Sequence, residues 1–149
     1  MGVRFMIDGE ETEGGFSLVE HPIPPRALAA PLHRHSREDE YSFVLQGRIG
    51  ALLGEDVVYG ERGDLIFKPR GQWHTFWNDG TQEARILELI SPAGFERYFE
   101  EMIDLLEHGR PPDPAALAAL AARHELEVDL ESVARLTQEY GLTFGSPAQ

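Results

Sequence analysis

The chain has 149 residues, 42% of them hydrophobic and 26% charged, which suits a single globular domain with a buried core. Its net charge of −13 argues against nucleic-acid binding, and the absence of cysteine excludes disulfides and thiolate metal sites. No apolar run approaches the roughly 18 to 20 residues of a membrane helix, and the N-terminus lacks a signal-peptide core, so we expect a soluble, cytoplasmic protein that does not bind membranes.

The first ninety residues are typical of short strands separated by turns. Residues 3–7 form either a first strand or a mobile tail, 16–21 form a strand, and the proline-broken segment 22–31 is a loop or an edge strand. Further strands are predicted over Tyr41–Gln46, Ile49–Leu53, Asp56–Tyr59, Leu65–Lys68, Trp73–Trp77 and Ala84–Ile90. About nine short strands with a turn every roughly 6 to 12 residues indicate an all-β sandwich or barrel.

After residue 91 the pattern changes to that of helices. Three helices are predicted: Phe95–Leu106, ended by Gly109; one capped by Asp113, with Pro114 at its first position; and Leu130–Tyr140, between a capping Asp129 and Gly141. We therefore divide the chain into a β domain, residues 1–91, and a helical C-terminal extension, residues 92–149. This extension is too small and alanine-rich to stand alone, so we expect it to pack on the β domain or on a partner subunit.

Four side chains have the chemistry of ligands for a divalent first-row metal: His33, His35, Glu40 and His74. His33 and His35 are two residues apart, so a strand would place both rings on one face. Glu40 has the opposite parity, which requires a break in the alternation at Ser36–Asp39 before the next strand begins. Such a set leaves one or two coordination positions open for water or a substrate.

These residues lie in two motifs that resemble the signatures of the cupin superfamily. The first motif is met by His33, His35, Glu40 and Gly47, and its usual leading glycine is Ala27 here. The second is matched completely by Gly63, Pro69, Gly71, His74 and Asn78. The resemblance covers Phe16–Ile90. It implies an all-β jelly-roll barrel followed by a helical extension, a dimer partner that helps to close the barrel, and a metal held by His33, His35, Glu40 and His74. The segment SPAGFERYFEE also resembles the extension of quercetin dioxygenase-like cupins.

The residues around this site are harder to assign from sequence. Possible pocket-lining residues are Ser42, Val44, Gln72 and Phe76, with Phe76 as an apolar wall; ordinary packing is the alternative for each. His21, His108 and His124 belong to no ligand constellation, although His21 could line the barrel mouth. No second ionisable group is clearly positioned as a general acid or base.

Several functions are compatible with these motifs. We expect one divalent transition metal per chain (Fe, Mn, Ni, Cu or Zn), whose identity the ligand types do not determine. The first hypothesis is a metal-dependent, dioxygenase-like enzyme acting on a small organic molecule. The alternatives are a cupin that binds a small ligand or a metal without turnover, as a sensor or storage protein, and a metal-dependent isomerase or lyase. The expected partners are the small molecule and a second copy of the chain in a homodimer.

Overall fold

A computed structural model of the chain describes residues 1–107 and 113–145. Within these ranges it contains ten strands, three α-helices and a 3-10 turn at Gly9–Thr12. The elements, in chain order, are β1 (Arg4–Ile7), β2 (Ser17–Ile23), β3 (Leu32–His35), β4 (Asp39–Gln46), β5 (Arg48–Leu53), β6 (Asp56–Glu61), β7 (Leu65–Lys68), β8 (His74–Asn78), β9 (Ala84–Ser91), α1 (Glu96–Leu106), α2 (Pro114–Arg123), β10 (Leu126–Asp129) and α3 (Ser132–Tyr140).

The strands form two antiparallel sheets of a jelly-roll barrel, as the sequence predicts. One sheet has the order β1-β2-β9-β4-β7 and the other the order β10-β3-β8-β5-β6. Alternation along β9 shows how the barrel is built: Ala84, Ile86, Glu88 and Ile90 are buried, and the residues between them are partly exposed. Apolar side chains from both sheets meet in one core cluster, which includes Val44, Ile49, Ile66, Phe76 and Ile86.

The predicted strands are all present, and two ambiguous segments are now assigned. The segment that could have been a strand or a tail forms β1, which pairs with β2. The proline-broken segment is divided, because β2 continues through Pro22 to Ile23 and pairs with β9 along its whole length. His33 and His35 then fall on β3, the strand that precedes the bend at Ser36–Glu38.

The C-terminal segment contains a strand that the sequence does not predict. Strand β10 pairs with β3, placing Leu126 opposite His35 and Val128 opposite His33. Four residues between two helices carry too little alternation to be recognised as a strand. The division of the chain at residue 91 stays a prediction, but the sheet that bears two of the histidines includes this later strand.

The helices begin and end close to the predicted positions where these are described. Asp113 caps α2, its side chain accepting a hydrogen bond from the N–H of Ala115. Helix α3 begins at Ser132 instead of Leu130, because Asp129 still belongs to β10, and it ends at Gly141 with φ of 65°. Gly109 and His108 lie outside the described residues. No helix within residues 1–107 and 113–145 has the length and apolar character to cross a membrane.

Helix α3 covers the outer face of β8. Trp77 is fully buried and stacks on Tyr140, with ring centroids 4.6 Å apart. Leu28, Leu136 and Leu142 complete this cluster. Strand β8 is therefore buried on both faces, so the strand that carries His74 is held between the barrel interior and the C-terminal segment.

Candidate metal centre

The structure brings together His33, His35, Glu40 and His74, the four side chains singled out by their chemistry. One ligand atom from each lies within 4.8 Å of every other. The histidines come from neighbouring strands of one sheet, since His33 on β3 is the register partner of His74 on β8. Glu40 reaches the cluster from β4 in the facing sheet, after the break in alternation between β3 and β4.

The Glu40 carboxylate is the point on which two of the imidazoles converge. Its Oε1 atom lies 2.9 Å from His35 Nε2 and 3.1 Å from His74 Nε2. The His33 and His74 rings are 4.4 Å apart between centroids. His35 Nε2 is buried and, despite its short distance from Glu40, has no aligned hydrogen bond to any described residue. An ion between the four side chains would give this buried nitrogen the bonding partner that it lacks.

The second nitrogen of each ring faces a partner outside the cluster. His33 Nδ1 is 2.7 Å from the carbonyl oxygen of Pro31, and His74 Nδ1 is 3.2 Å from that of Gln72. Because a carbonyl only accepts, each Nδ1 donates, and in a neutral ring the Nε2 lone pair is then directed inward, where a metal can bind it. His35 Nδ1 lies 3.3 Å from the buried carboxylate of Glu38. All three rings are thus oriented as metal ligands usually are.

Burial and the charges of neighbouring groups shift the pKa values of these residues in different directions. Burial, reinforced by the adjacent His74 and His35 rings, holds the pKa of His33 well below its ordinary value. Burial also lowers the pKa of His35, but the Glu40 and Glu38 carboxylates outweigh it and raise that pKa to about 9. Burial by itself raises the pKa of Glu40, whereas His35 and Lys68 hold it well below its usual range.

The donor set fits a divalent transition metal better than a hard cation such as Mg²⁺ or Ca²⁺. Three imidazoles and one carboxylate suit Zn, Fe, Ni, Cu or Mn, whereas Mg²⁺ and Ca²⁺ prefer oxygen ligands throughout. Ligands across an ion, each about 2.1 Å from it, are about 4.2 Å apart. The spacing of the four ligand atoms is close to that limit, so small side-chain movements are enough to enclose an ion.

A second buried polar cluster lies beside the four residues, and it could not be recognised from the sequence pattern. Glu88 of β9 accepts hydrogen bonds from Lys68 Nζ and, at 3.0 Å, from Ser42 Oγ. Its other carboxylate oxygen is 3.2 Å from His21 Nε2. All four of these side chains are 2% exposed or less. Burial and the charge of Glu40 raise the pKa of Glu88, but Lys68 and His21 reverse this and lower it.

The possible pocket residues lie near this second cluster, with different surroundings. Ser42 faces inward and is bonded to Glu88, as above. Val44 and Phe76 belong to the core cluster. Lys68 Nζ lies 4.3 Å from the centroid of the Phe76 ring, so this predicted apolar wall also contacts a cation. Gln72 is partly buried, and its backbone carbonyl faces His74. Whether any of these contacts a ligand stays a prediction.

Aromatic side chains at the start of α1 cover one side of the cluster. Phe95 meets the ring of His35 edge to face, with centroids 4.4 Å apart, and Phe99 meets His21 in the same way at 5.2 Å. His124 lies further out and contacts Glu101 at 3.0 Å, so it remains outside the ligand set. These aromatic rings therefore cover His35 and the neighbouring His21.

Comparisons with known proteins identify the β segment. Residues 20–90 match the family described as the cupin domain. A 60-residue stretch is 33% identical to the tetracenomycin polyketide synthase protein TcmJ of Streptomyces glaucescens, covering 40% of each chain. Another, of 48 residues, is 42% identical to the oxidoreductase iacF of Pestalotiopsis fici, covering 32% of this chain and 24% of that protein. The chain thus matches less than half the length of each of these relatives.

Solved structures show the same fold at low sequence identity. KdgF from Halomonas sp. superposes with a TM-score of 0.56 at 19% identity, over 64% of this chain and 81% of that one. A predicted oxalate decarboxylase from Thermotoga maritima gives 0.57 at 22% identity, over 60% and 78%. At these identities the likeness extends to the fold alone.

Proposed function

This chain belongs to the cupin superfamily, and on that premise we propose that it binds one divalent transition metal through His33, His35, Glu40 and His74 and acts as a metal-dependent enzyme on a small organic molecule. The observation that carries the proposal is the convergence of four buried ligand atoms, with the outer nitrogen of each imidazole facing an acceptor. Such outer acceptors are the usual support of metal-bound histidines.

The residues around the ion would have different roles. His33, His35, His74 and Glu40 hold the ion, while Glu38 and the carbonyls of Pro31 and Gln72 fix the imidazoles. When bound, the metal supplies a Lewis acid and, if redox-active, electron transfer to O2. Phe95 and Phe99 exclude water from one side of the cluster, which strengthens electrostatic interactions inside the barrel.

We favour oxygenase chemistry on an enol or aromatic substrate with oxygen donors. Four protein ligands leave open positions for such a molecule. One sequence relative is named as an oxidoreductase, which supports the same kind of chemistry. Oxygen-independent isomerase or lyase activity, and ligand binding without turnover, are the alternatives that the experiment below distinguishes.

The first test is metal analysis of protein purified without a histidine tag, before and after incubation with Fe²⁺, Mn²⁺, Ni²⁺, Cu²⁺ or Zn²⁺. We expect about one ion per chain in the wild type and strongly substoichiometric loading in His33→Ala, because one of four ligands is lost. The matched control is His124→Ala, which removes an imidazole outside the cluster. Equal loading of both variants would contradict the proposed ligand set.

The second test screens the loaded protein against phenols, flavonols and diketones, with and without oxygen. Oxygen uptake coupled to product formation would support the oxygenase. Product formed equally well without oxygen would favour the isomerase or lyase. Thermal stabilisation by a compound that yields no product by mass spectrometry would favour a binding protein.

A further inference from the structure

Lys68 is a buried cation whose ammonium group has few hydrogen-bond acceptors around it. Its ammonium group is buried with the rest of the residue, which is 1% exposed, and it lies above the ring of Phe76. Among the described residues, only Glu88 accepts a hydrogen bond from it. An ammonium has three N–H donors, so two remain without a protein acceptor in the barrel.

Stability alone does not explain this arrangement. A buried ion pair loses the hydration of both charges, and replacing such a pair by apolar residues of similar volume is often neutral or stabilising. The pair lies beside Ile66 and Val44 of the apolar core cluster, with Ser42 and His21 as its polar neighbours. The position of the pair beside the proposed metal ligands points to a role in binding.

Strand register places Lys68 beside the ligand set. Lys68 of β7 is the direct partner of Glu40 on β4, and both side chains point into the barrel. Opposed residues of antiparallel strands have Cβ atoms only about 4.5 to 5.5 Å apart. The ammonium and the metal ligands therefore face the same part of the interior, from adjacent strands.

Glu88 has neighbours besides Lys68 that hold its carboxylate in place. Ser42 donates to one of its carboxylate oxygens, and His21 lies 3.2 Å from the other. His21 is itself fixed, since its Nδ1 is 2.9 Å from the carbonyl oxygen of Gly2. The carboxylate thus accepts a hydrogen bond from one N–H of the ammonium, and the other two N–H groups are available to an acceptor inside the barrel.

We propose that Lys68 is a specificity-determining residue that binds a negatively charged oxygen of the small molecule held at the metal, so that the substrate is an acid or an enolate and not a neutral compound. The geometry gives the anion a charge-assisted hydrogen bond in an interior where water does not compete. This inference rests on the proposed metal site, and it adds to the proposed function that the substrate is negatively charged.

The test measures binding instead of turnover. The protein is loaded with Co²⁺, and its visible absorption is titrated with oxalate as the anionic probe and with imidazole as the neutral one. We expect Lys68→Met to retain Co²⁺, to bind imidazole like the wild type and to bind oxalate about tenfold to a hundredfold more weakly, the effect of losing one charge-assisted hydrogen bond. Unchanged oxalate binding by Lys68→Met would overturn the proposal.

Glu88→Gln separates anion recognition from a merely structural role. It removes the charge that competes for the ammonium, so we expect oxalate to bind more tightly than to the wild type, opposite to Lys68→Met. A structural role for the pair predicts that both variants weaken binding. If Lys68→Met does not fold or does not retain Co²⁺, the test rests on Glu88→Gln alone. Glu88→Gln that binds oxalate no more tightly than the wild type would then reject the proposal.

The two proposals fail in different ways. If the wild type binds no Co²⁺, the metal site is refuted and the role of Lys68 falls with it, before any variant is compared. If the wild type binds Co²⁺ and the variants bind oxalate alike, the metal site stands and only the role of Lys68 is refuted.

Discussion

At the scale of single residues, the three imidazoles of the candidate centre differ in what faces their outer nitrogen. His33 and His74 face backbone carbonyls, which cannot change charge, whereas His35 faces the carboxylate of Glu38. Only His35 therefore sits between two carboxylates, Glu38 and Glu40, and its raised pKa follows from that position. The proton on His35 and a metal ion compete for one Nε2 atom.

This competition makes metal affinity depend on pH. Since the pKa of His35 in the metal-free protein is about 9, a bound metal must displace a proton throughout the neutral range. We expect the affinity to rise about tenfold per pH unit and to level off as the pH passes about 9, with about one proton released per ion below that value. Calorimetric titration in buffers of different ionisation enthalpy measures both quantities.

Glu38→Gln provides the control for this prediction. It keeps the shape of the side chain but removes one of the two carboxylates that raise the pKa of His35. We expect the affinity to level off at a lower pH than in the wild type, and proton release near pH 8 to decrease. The same profile in the two proteins would show that Glu38 does not hold the proton on His35.

The convergence of His33, His35, Glu40 and His74 could be predicted from sequence, but the charged pair beside them could not. Strand alternation and spacing are enough to place His33 and His35 on one face. Glu88 lies in the stretch ARILELI and Lys68 ends the stretch LIFK, where apolar residues occupy both parities. The buried face of such a strand cannot be identified from its pattern, and charged residues are ordinarily assigned to solvent.

At the scale of elements, the C-terminal segment has two distinct contacts with the sheet that carries the histidines. Strand β10 extends the edge of this sheet at β3, and α3 packs over the outer face of β8. The helices could be predicted from three-and-four spacing and from capping residues. Strand β10 could not, because its pairing depends on β3, a partner that is distant in the chain.

The packing of α3 predicts a clear difference between two leucines. Leu136 is 1% exposed in the cluster around Trp77, whereas Leu130, just before the helix, is 71% exposed. We expect Leu136→Ala to lower the free energy of unfolding by about 2 to 5 kcal/mol, because it leaves a cavity. The same change at Leu130 should stay within about 0.5 kcal/mol. Urea titrations followed by tryptophan fluorescence compare them, and equal effects would contradict the packing of α3.

At the scale of the whole molecule, the outer face of the first sheet is unusually apolar. Phe43, Leu65 and Phe67 are 40%, 59% and 45% exposed, and Tyr41 stacks on Phe67 with centroids 4.9 Å apart. The register places Leu87 beside Phe43 on the same outer face. Contiguous exposed apolar surface on a soluble protein commonly marks an interface. The homodimer stays a prediction, and we place its interface on this face.

We expect Phe67→Glu to dissociate this dimer. A carboxylate placed on the apolar face would lose its hydration in the interface, with no partner there to compensate. The matched control is Phe144→Glu, since Phe144 is also 45% exposed but lies on the C-terminal segment. Sedimentation velocity should show a dimer for the wild type and Phe144→Glu, and a monomer for Phe67→Glu. A wild type that is monomeric at all concentrations would refute the dimer itself.

The pairing of β10 with β3 also has a consequence for the order in which a nascent chain acquires its structure. The Ser36 hydroxyl donates to the carbonyl oxygen of Glu125, two positions that are 89 residues apart in the chain. The edge of β3 therefore has no partner while the ribosome is still making the helices, even though the histidines of β3 have already been synthesised. We expect the amides of β3 that face β10 to gain protection from hydrogen exchange only after residue 129 has left the exit tunnel.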